Sequence, residues 1–138
     1  MSSHYEAGQV PRIRVGPDTL EALPEELETL AVDSVLLLAD PSLDSSGLVQ
    51  RLSTHLGRQL TLKTMLLPAG EPTTASVDTV ATNLRRLQCP ALIGLGGGST
   101  LDTAKLAAAV AAGPRPSAED LHALHDLPAR LPPLAAPT

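Results

Sequence analysis

Short apolar runs alternate along this chain with stretches whose leucines and valines recur every three or four residues. Val35-Leu36-Leu37-Leu38-Ala39 is an unbroken apolar run that stops at Asp40-Pro41. A strand with no polar face must be covered on both sides, so a central, parallel strand is expected over residues 34–39. Residues 45–60 carry Leu48, Val49, Leu52, Leu56 and Leu60 at helical steps, and residues 61–67 follow as a second strand. The helical spacing returns over residues 73–87 through Val77, Val80, Ala81, Leu84 and Leu87. Residues 89–95 then read as a third buried strand, and residues 99–112 as an alanine-rich helix halted by Gly113-Pro114.

The two ends are less regular. Residues 9–15 alternate modestly through Val10, Ile13 and Val15. Pro11 points to a sheet edge there, because proline donates nothing to a ladder. Residues 17–30 carry Leu20, Leu23, Leu27 and Leu30 at helical spacing, with Pro24 best placed as the first residue of a second short helix. Residues 114–138 hold six of the thirteen prolines, which leaves room only for a short helix over 117–126 and an apolar piece, Leu134-Ala135-Ala136. Strands alternating with helices predict an α/β fold: a Rossmann-like parallel sheet with helices on both faces, joined by right-handed crossovers. One domain is expected, with residues 1–113 forming that layer and the proline-rich residues 114–138 continuing it.

Composition narrows the function classes. Tyr5 is the only aromatic residue, so stacking on bases or sugars is an unpromising mode of recognition. Ten basic and fifteen acidic side chains leave a net charge of −5 without a basic cluster, which argues against nucleic acid. No apolar run reaches the roughly 18–20 residues of a membrane span, and the polar start Met1-Ser2-Ser3-His4 is unlike a signal peptide. A single cysteine, Cys89, excludes an internal disulfide. A cytoplasmic location is the resulting expectation.

The segment with the most chemistry is Gly96-Gly97-Gly98-Ser99-Thr100-Leu101-Asp102, set between a buried strand and a helix. Glycines there allow unusual backbone angles and close approach, while the free N–H groups and positive end of the helix attract phosphate. The competing reading is local: Ser99 and Asp102 have the spacing of a capping box and would satisfy those N–H groups without a ligand. Asp40 ends the first buried strand, at the sheet edge where open α/β folds collect ligands. It can accept hydrogen bonds from ribose hydroxyls and repel a 2′-phosphate, or it can simply cap the next helix. Glu71 follows the second strand at the same edge and either faces a ligand or starts a helix.

Other residues read blandly. Cys89, before a proline at a strand entrance, is expected to be a buried, inert thiol. His122 and His125 lack a third ligand nearby and are expected on a solvated helix face. The acidic residues from Glu21 to Glu28 are expected to be another solvated face.

These residues resemble the iron-containing alcohol dehydrogenases, with their glycerol dehydrogenase and dehydroquinate synthase relatives. The likeness runs through Ile13-Arg14-Val15-Gly16, Leu36-Leu37-Leu38-Ala39-Asp40, Glu71-Pro72-Thr73, Gly96 to Lys105, and Leu131-Pro132-Pro133-Leu134-Ala135-Ala136-Pro137-Thr138. The resemblance implies that Gly96, Gly97, Gly98, Ser99 and Thr100 bind the diphosphate of NAD, that Asp40 contacts the adenosine ribose, and that Asp102 is a site residue. Glu71 stands where many members have asparagine, and Thr138 matches the first threonine of a further cofactor loop. NAD is implied ahead of NADP.

In the family a C-terminal helical domain holds iron or zinc, and the metal polarises the alcohol or carbonyl oxygen for hydride transfer. That domain has no counterpart in these residues, so no metal ligand and no catalytic residue is assigned. The expected function is the NAD-binding portion of a metal-dependent alcohol or polyol dehydrogenase, inactive alone, meeting a small alcohol or aldehyde only when completed by a catalytic domain. The alternative is a degenerate, non-catalytic nucleotide-binding module or partner subunit. A homo-oligomer or a separate catalytic chain is the expected protein partner. A lyase like dehydroquinate synthase fits less well, because its glycine loop is worded differently.

Overall fold

The computed structural model describes residues 13–67 and 72–113. The expected helix over 117–126 with His122 and His125, the apolar piece near residue 134, and the candidate residues Glu71 and Thr138 lie outside these residues. Among the described residues three parallel strands form the sheet: β1 (Ser34–Ala39), β2 (Thr61–Leu66) and β3 (Ala91–Leu95), in the order β2-β1-β3. The helices are α1 (Leu23–Leu30), α2 (Pro41–Ser45), α3 (Leu48–Leu56), α4 (Thr74–Arg86) and α5 (Gly98–Ala112), with a 3-10 helix at Thr19–Ala22.

β1 lies at the centre, as its unbroken apolar run requires, and Val35 to Ala39 are all buried. Period-2 alternation splits its side chains between two cores. Leu36 and Leu38 pack with Val77, Val80, Ala81 and Leu84 of α4 and with Ala104, Ala107 and Val110 of α5. Val35, Leu37 and Ala39 pack with Leu27 of α1 and with Val49, Leu52 and Leu56 of α3. Helices therefore cover both faces of a parallel sheet.

Local chemistry sets the boundaries. Thr73 caps α4, its hydroxyl accepting from the Ser76 N–H while the Ser76 hydroxyl accepts from the Thr73 N–H, each at 3.0 Å. Arg85 donates from Nη2 to the Val110 carbonyl at 2.5 Å, placing a cation against the last turn of α5. Arg14 and Glu26 pair at 2.7 Å and tie the segment before α1 to that otherwise acidic helix; such an exposed pair contributes about 0–1 kcal/mol.

Three expectations are corrected. The helix expected over 45–60 is shorter, spanning Leu48–Leu56 as α3, and a separate helix α2 precedes it: Asp40 caps its start at Pro41, and Gly47, at φ +83°, separates the two. Of the edge strand expected over 9–15, residues 9–12 lie outside the described residues, and residues 13–15 form no strand, with Ile13 and Val15 exposed. The second short helix begins at Leu23, leaving Pro24 inside the first turn, where its missing N–H costs nothing.

Because Leu37 is fully buried on the middle strand, Leu37→Ala is expected to lower unfolding free energy by about 2–5 kcal/mol in a urea titration. A loss below about 1 kcal/mol would mean that β1 is not the packed centre of the sheet.

Candidate functional site

β1 leads into α2 and α3 on one face of the sheet, whereas β3 leads into α5 on the other. The chain therefore departs in opposite directions from the carboxyl ends of two adjacent strands, which opens the crevice where α/β sheets take ligands. The register pairs Leu38 with Gly94 and Ala39 with Leu95, so Asp40 and Gly96 come next in line at the rim. The Asp40 N–H donates to the Leu95 carbonyl at 3.0 Å and holds the two ends together.

The glycines have separate jobs. A Cβ on Gly96 would lie 2.6 Å from Thr100 Oγ1 and 3.2 Å from Asp40 Cβ, so only glycine lets these three residues meet. One step down the strand, a Cβ on Gly94 would come within 3.0 Å of Ala104 Cβ. Gly94 and Gly96 thus let α5 lie close against β3, paired one helical turn apart with Ala104 and Thr100. Gly97 and Gly98 are different: a Cβ on either meets nothing within 4 Å. None of Gly96, Gly97 and Gly98 has positive φ, so the loop needs no unusual backbone angle. Bare backbone at Gly97 and Gly98 faces open space.

Helix α5 starts at Gly98, one residue before the expected start, with Gly97 as N-cap and no capping side chain. Ser99 falls inside the first turn, and the capping box with Asp102 does not form. The Ser99 carbonyl instead accepts from Thr103 Oγ1 at 2.8 Å. The first intrahelical bond runs from the Leu101 N–H to the Gly97 carbonyl. Among the described residues, the N–H groups of Gly98, Ser99 and Thr100 therefore have no partner, and they point with the positive end of a 15-residue helix toward the rim. The Thr100 side chain is buried beneath Gly96, so Thr100 offers its N–H rather than its hydroxyl. Asp102 is exposed and shares a helix face with Gly98 and Ser99.

Asp40 performs the local task foreseen for it and leaves capacity for another. Its Oδ1 accepts from the Ser42 N–H at 2.8 Å and from the Ser42 hydroxyl at 2.7 Å, capping α2. The Ser42 hydroxyl and then its N–H favour the charged form and hold the Asp40 carboxyl below its ordinary value, against a smaller opposing effect of burial. A depressed folded value means this stabilisation is present above the ordinary carboxylate range and is lost as pH falls through the folded value. Oδ2 has no partner among the described residues.

Sequence reasoning missed Gly94 and Ser42. A glycine inside a buried-strand pattern marks close backbone approach and was a usable signal for Gly94.

The remaining features stay outside the site. Cys89 is a buried free thiol whose ionisation burial pushes up, against smaller opposing effects of a Ser34 hydrogen bond and Lys63, so it is a poor nucleophile. A cavity of about 670 Å³ between the 3-10 helix and α3 is lined by mixed charges, including Asp18, Glu21, Arg51 and His55, and includes none of the rim residues. Among the described residues no three His, Cys, Asp or Glu side chains are grouped to hold a metal, and no helix is long and apolar enough to cross a membrane.

A family model described as iron-containing alcohol dehydrogenase matches residues 11–138. The chain belongs to the iron-containing alcohol dehydrogenase family. The probable alcohol dehydrogenase EutG of Escherichia coli is 29% identical over 128 residues, covering 89% of this chain and 31% of that protein. An NAD-dependent methanol dehydrogenase of Bacillus methanolicus is 28% identical over 104 residues, covering 74% of this chain and 27% of that protein. The chain thus spans about a third or less of the length of these relatives. A sulfoacetaldehyde reductase of Bifidobacterium kashiwanohense, solved in complex with NAD+, superposes with a TM-score of 0.76 at 22% identity, over 91% of this chain and 33% of that one. That likeness establishes the fold.

The two kinds of glycine separate by stability. Gly96→Ala is expected to cost about 1–3 kcal/mol in thermal or urea unfolding, because its methyl meets Thr100 and Asp40. Gly97→Ala is expected to unfold like the parent chain within about 0.5 kcal/mol, since its methyl meets nothing. Equal losses at both positions would contradict this division.

Proposed function

We propose that this chain is the NAD-binding portion of a metal-dependent alcohol or polyol dehydrogenase. One observation carries the reading: the open cradle of Gly97 and Gly98 lies at an uncapped helix end, beside the carboxylate of Asp40. Unpartnered N–H groups on a positive helix end suit a diphosphate, and glycine leaves room for it at van der Waals distance. Asp40 Oδ2 suits the hydroxyls of the adenosine ribose, and its charge disfavours a 2′-phosphate, which selects NAD over NADP. Family membership and an NAD-dependent relative support the same cofactor.

NAD, when bound, supplies the hydride acceptor for oxidation of an alcohol to a carbonyl compound. The residues of this chain bind and orient it: Gly97, Gly98, Ser99 and Thr100 through backbone N–H groups, Asp40 through its carboxylate, and Asp102 from the adjoining helix face. Glu71 and Thr138 are proposed at the same rim from the family resemblance alone. Residues 114–138 are proposed to continue the same domain. The iron or zinc of the family, which polarises the substrate oxygen, belongs to the helical part of its members, and turnover on a small alcohol or aldehyde needs that part.

Calorimetric titration of the purified chain tests the reading. Saturable binding of NAD, weaker binding of NADP, loss of NAD binding in Gly97→Asp, and roughly tenfold weaker NAD binding with reduced discrimination in Asp40→Ala are expected. A folded parent chain that binds neither dinucleotide would refute it.

A further inference from the structure

Both hydrogen bonds from Ser42 fall on one oxygen of Asp40, leaving the other free at the rim. The N–H bond already caps α2, and the hydroxyl adds a second bond to the same oxygen. A carboxylate gripped at one oxygen by two donors from the same residue loses the rotation about its terminal torsion that a free aspartate enjoys. The grip therefore fixes where Oδ2 points. Asp40 follows β1 on the face that packs against α5, with its Cβ 3.2 Å from the space a Gly96 Cβ would fill. Its orientation is thus set directly against the glycine loop.

We propose that Ser42 is a positioning residue for dinucleotide selectivity, its hydroxyl aiming Asp40 Oδ2 at the adenosine ribose and sharpening the choice of NAD over NADP. The inference rests on the cofactor reading above. The Ser42 hydroxyl is also the largest influence lowering the Asp40 carboxyl from its ordinary value, consistent with a bond made to the charged form. Ser42 itself is exposed, so trimming it leaves no cavity in the core.

A double-mutant cycle on the full chain tests this, with NAD and NADP affinities measured for the parent, Ser42→Ala, Asp40→Ala and the double variant. Ser42→Ala is expected to weaken NAD about three- to tenfold and NADP less, to add nothing in the Asp40→Ala background, and to be rescued by Ser42→Thr. Ser42→Gly, which also keeps the capping N–H, should reproduce the alanine result. Unchanged NAD affinity in Ser42→Ala, even with a lowered thermal midpoint, would reduce Ser42 to a helix cap and overturn the proposal. So would an equal loss in the Asp40→Ala background. Absence of NAD binding in the parent chain would overturn the cofactor reading itself, a result distinguishable from a parent that binds and a Ser42 variant that binds equally well.

Discussion

The structure depends on the burial of β1 from both sides. Each of its two neighbours pairs with β1 and not with the other, so without β1 there is no sheet. Its side chains are divided between two cores, which obliges the chain to place helices above and below. Three parallel strands with crossovers on opposite faces leave a single arrangement at the carboxyl ends of β1 and β3: the two loops part, and a crevice opens. Asp40 and the glycine loop are brought together by this constraint, although 55 residues of sequence separate Asp40 from Gly96.

How close they come is decided at Gly94 and Gly96. Alternate strand positions face the same helix, and both lack the Cβ that would push α5 outward by more than its neighbours could absorb. The burial of α5 is accordingly made of small side chains, Thr100, Thr103, Ala104 and Ala107, with Val110 as the one larger contact. A helix packed by small residues sits near its sheet, so its uncapped N-terminus arrives at the rim instead of above it. Tight packing, which looks like a matter of stability, thereby fixes the position of the three N–H groups.

Much of this was legible in the chain itself. The run from Val35 to Ala39 announced a central strand because only a doubly covered strand dispenses with polar positions. The steps at Val77, Val80, Ala81 and Leu84 gave the inner face of α4, and those residues are buried. What could not be read were features that depend on a few backbone angles. Gly47 interrupts a helical region without disturbing the three-and-four spacing after it, so periodicity alone ran past the break. The cap of α5 falls at Gly97, two residues before Ser99, which makes Ser99 a first-turn residue, and that shift separates a self-satisfied helix end from an open one. The Ser42 bonds to Asp40 are of the same kind, since they arise from the turn that Asp40-Pro41 begins and not from any pattern of apolar residues.

The charges at the rim then define what can lie there. The end of α5 is positive, and the carboxylate across from it is negative, its charged form favoured further by Ser42. A ligand that is anionic throughout would gain at the helix end and lose at Asp40, whereas one anionic at its middle and neutral beyond gains at both. A dinucleotide diphosphate flanked by an unphosphorylated ribose has that order of charge. In the proposed complex the two elements of opposite sign do not cancel, because each would meet a different part of the dinucleotide, and the fixed register of β1 against β3 sets the interval between them.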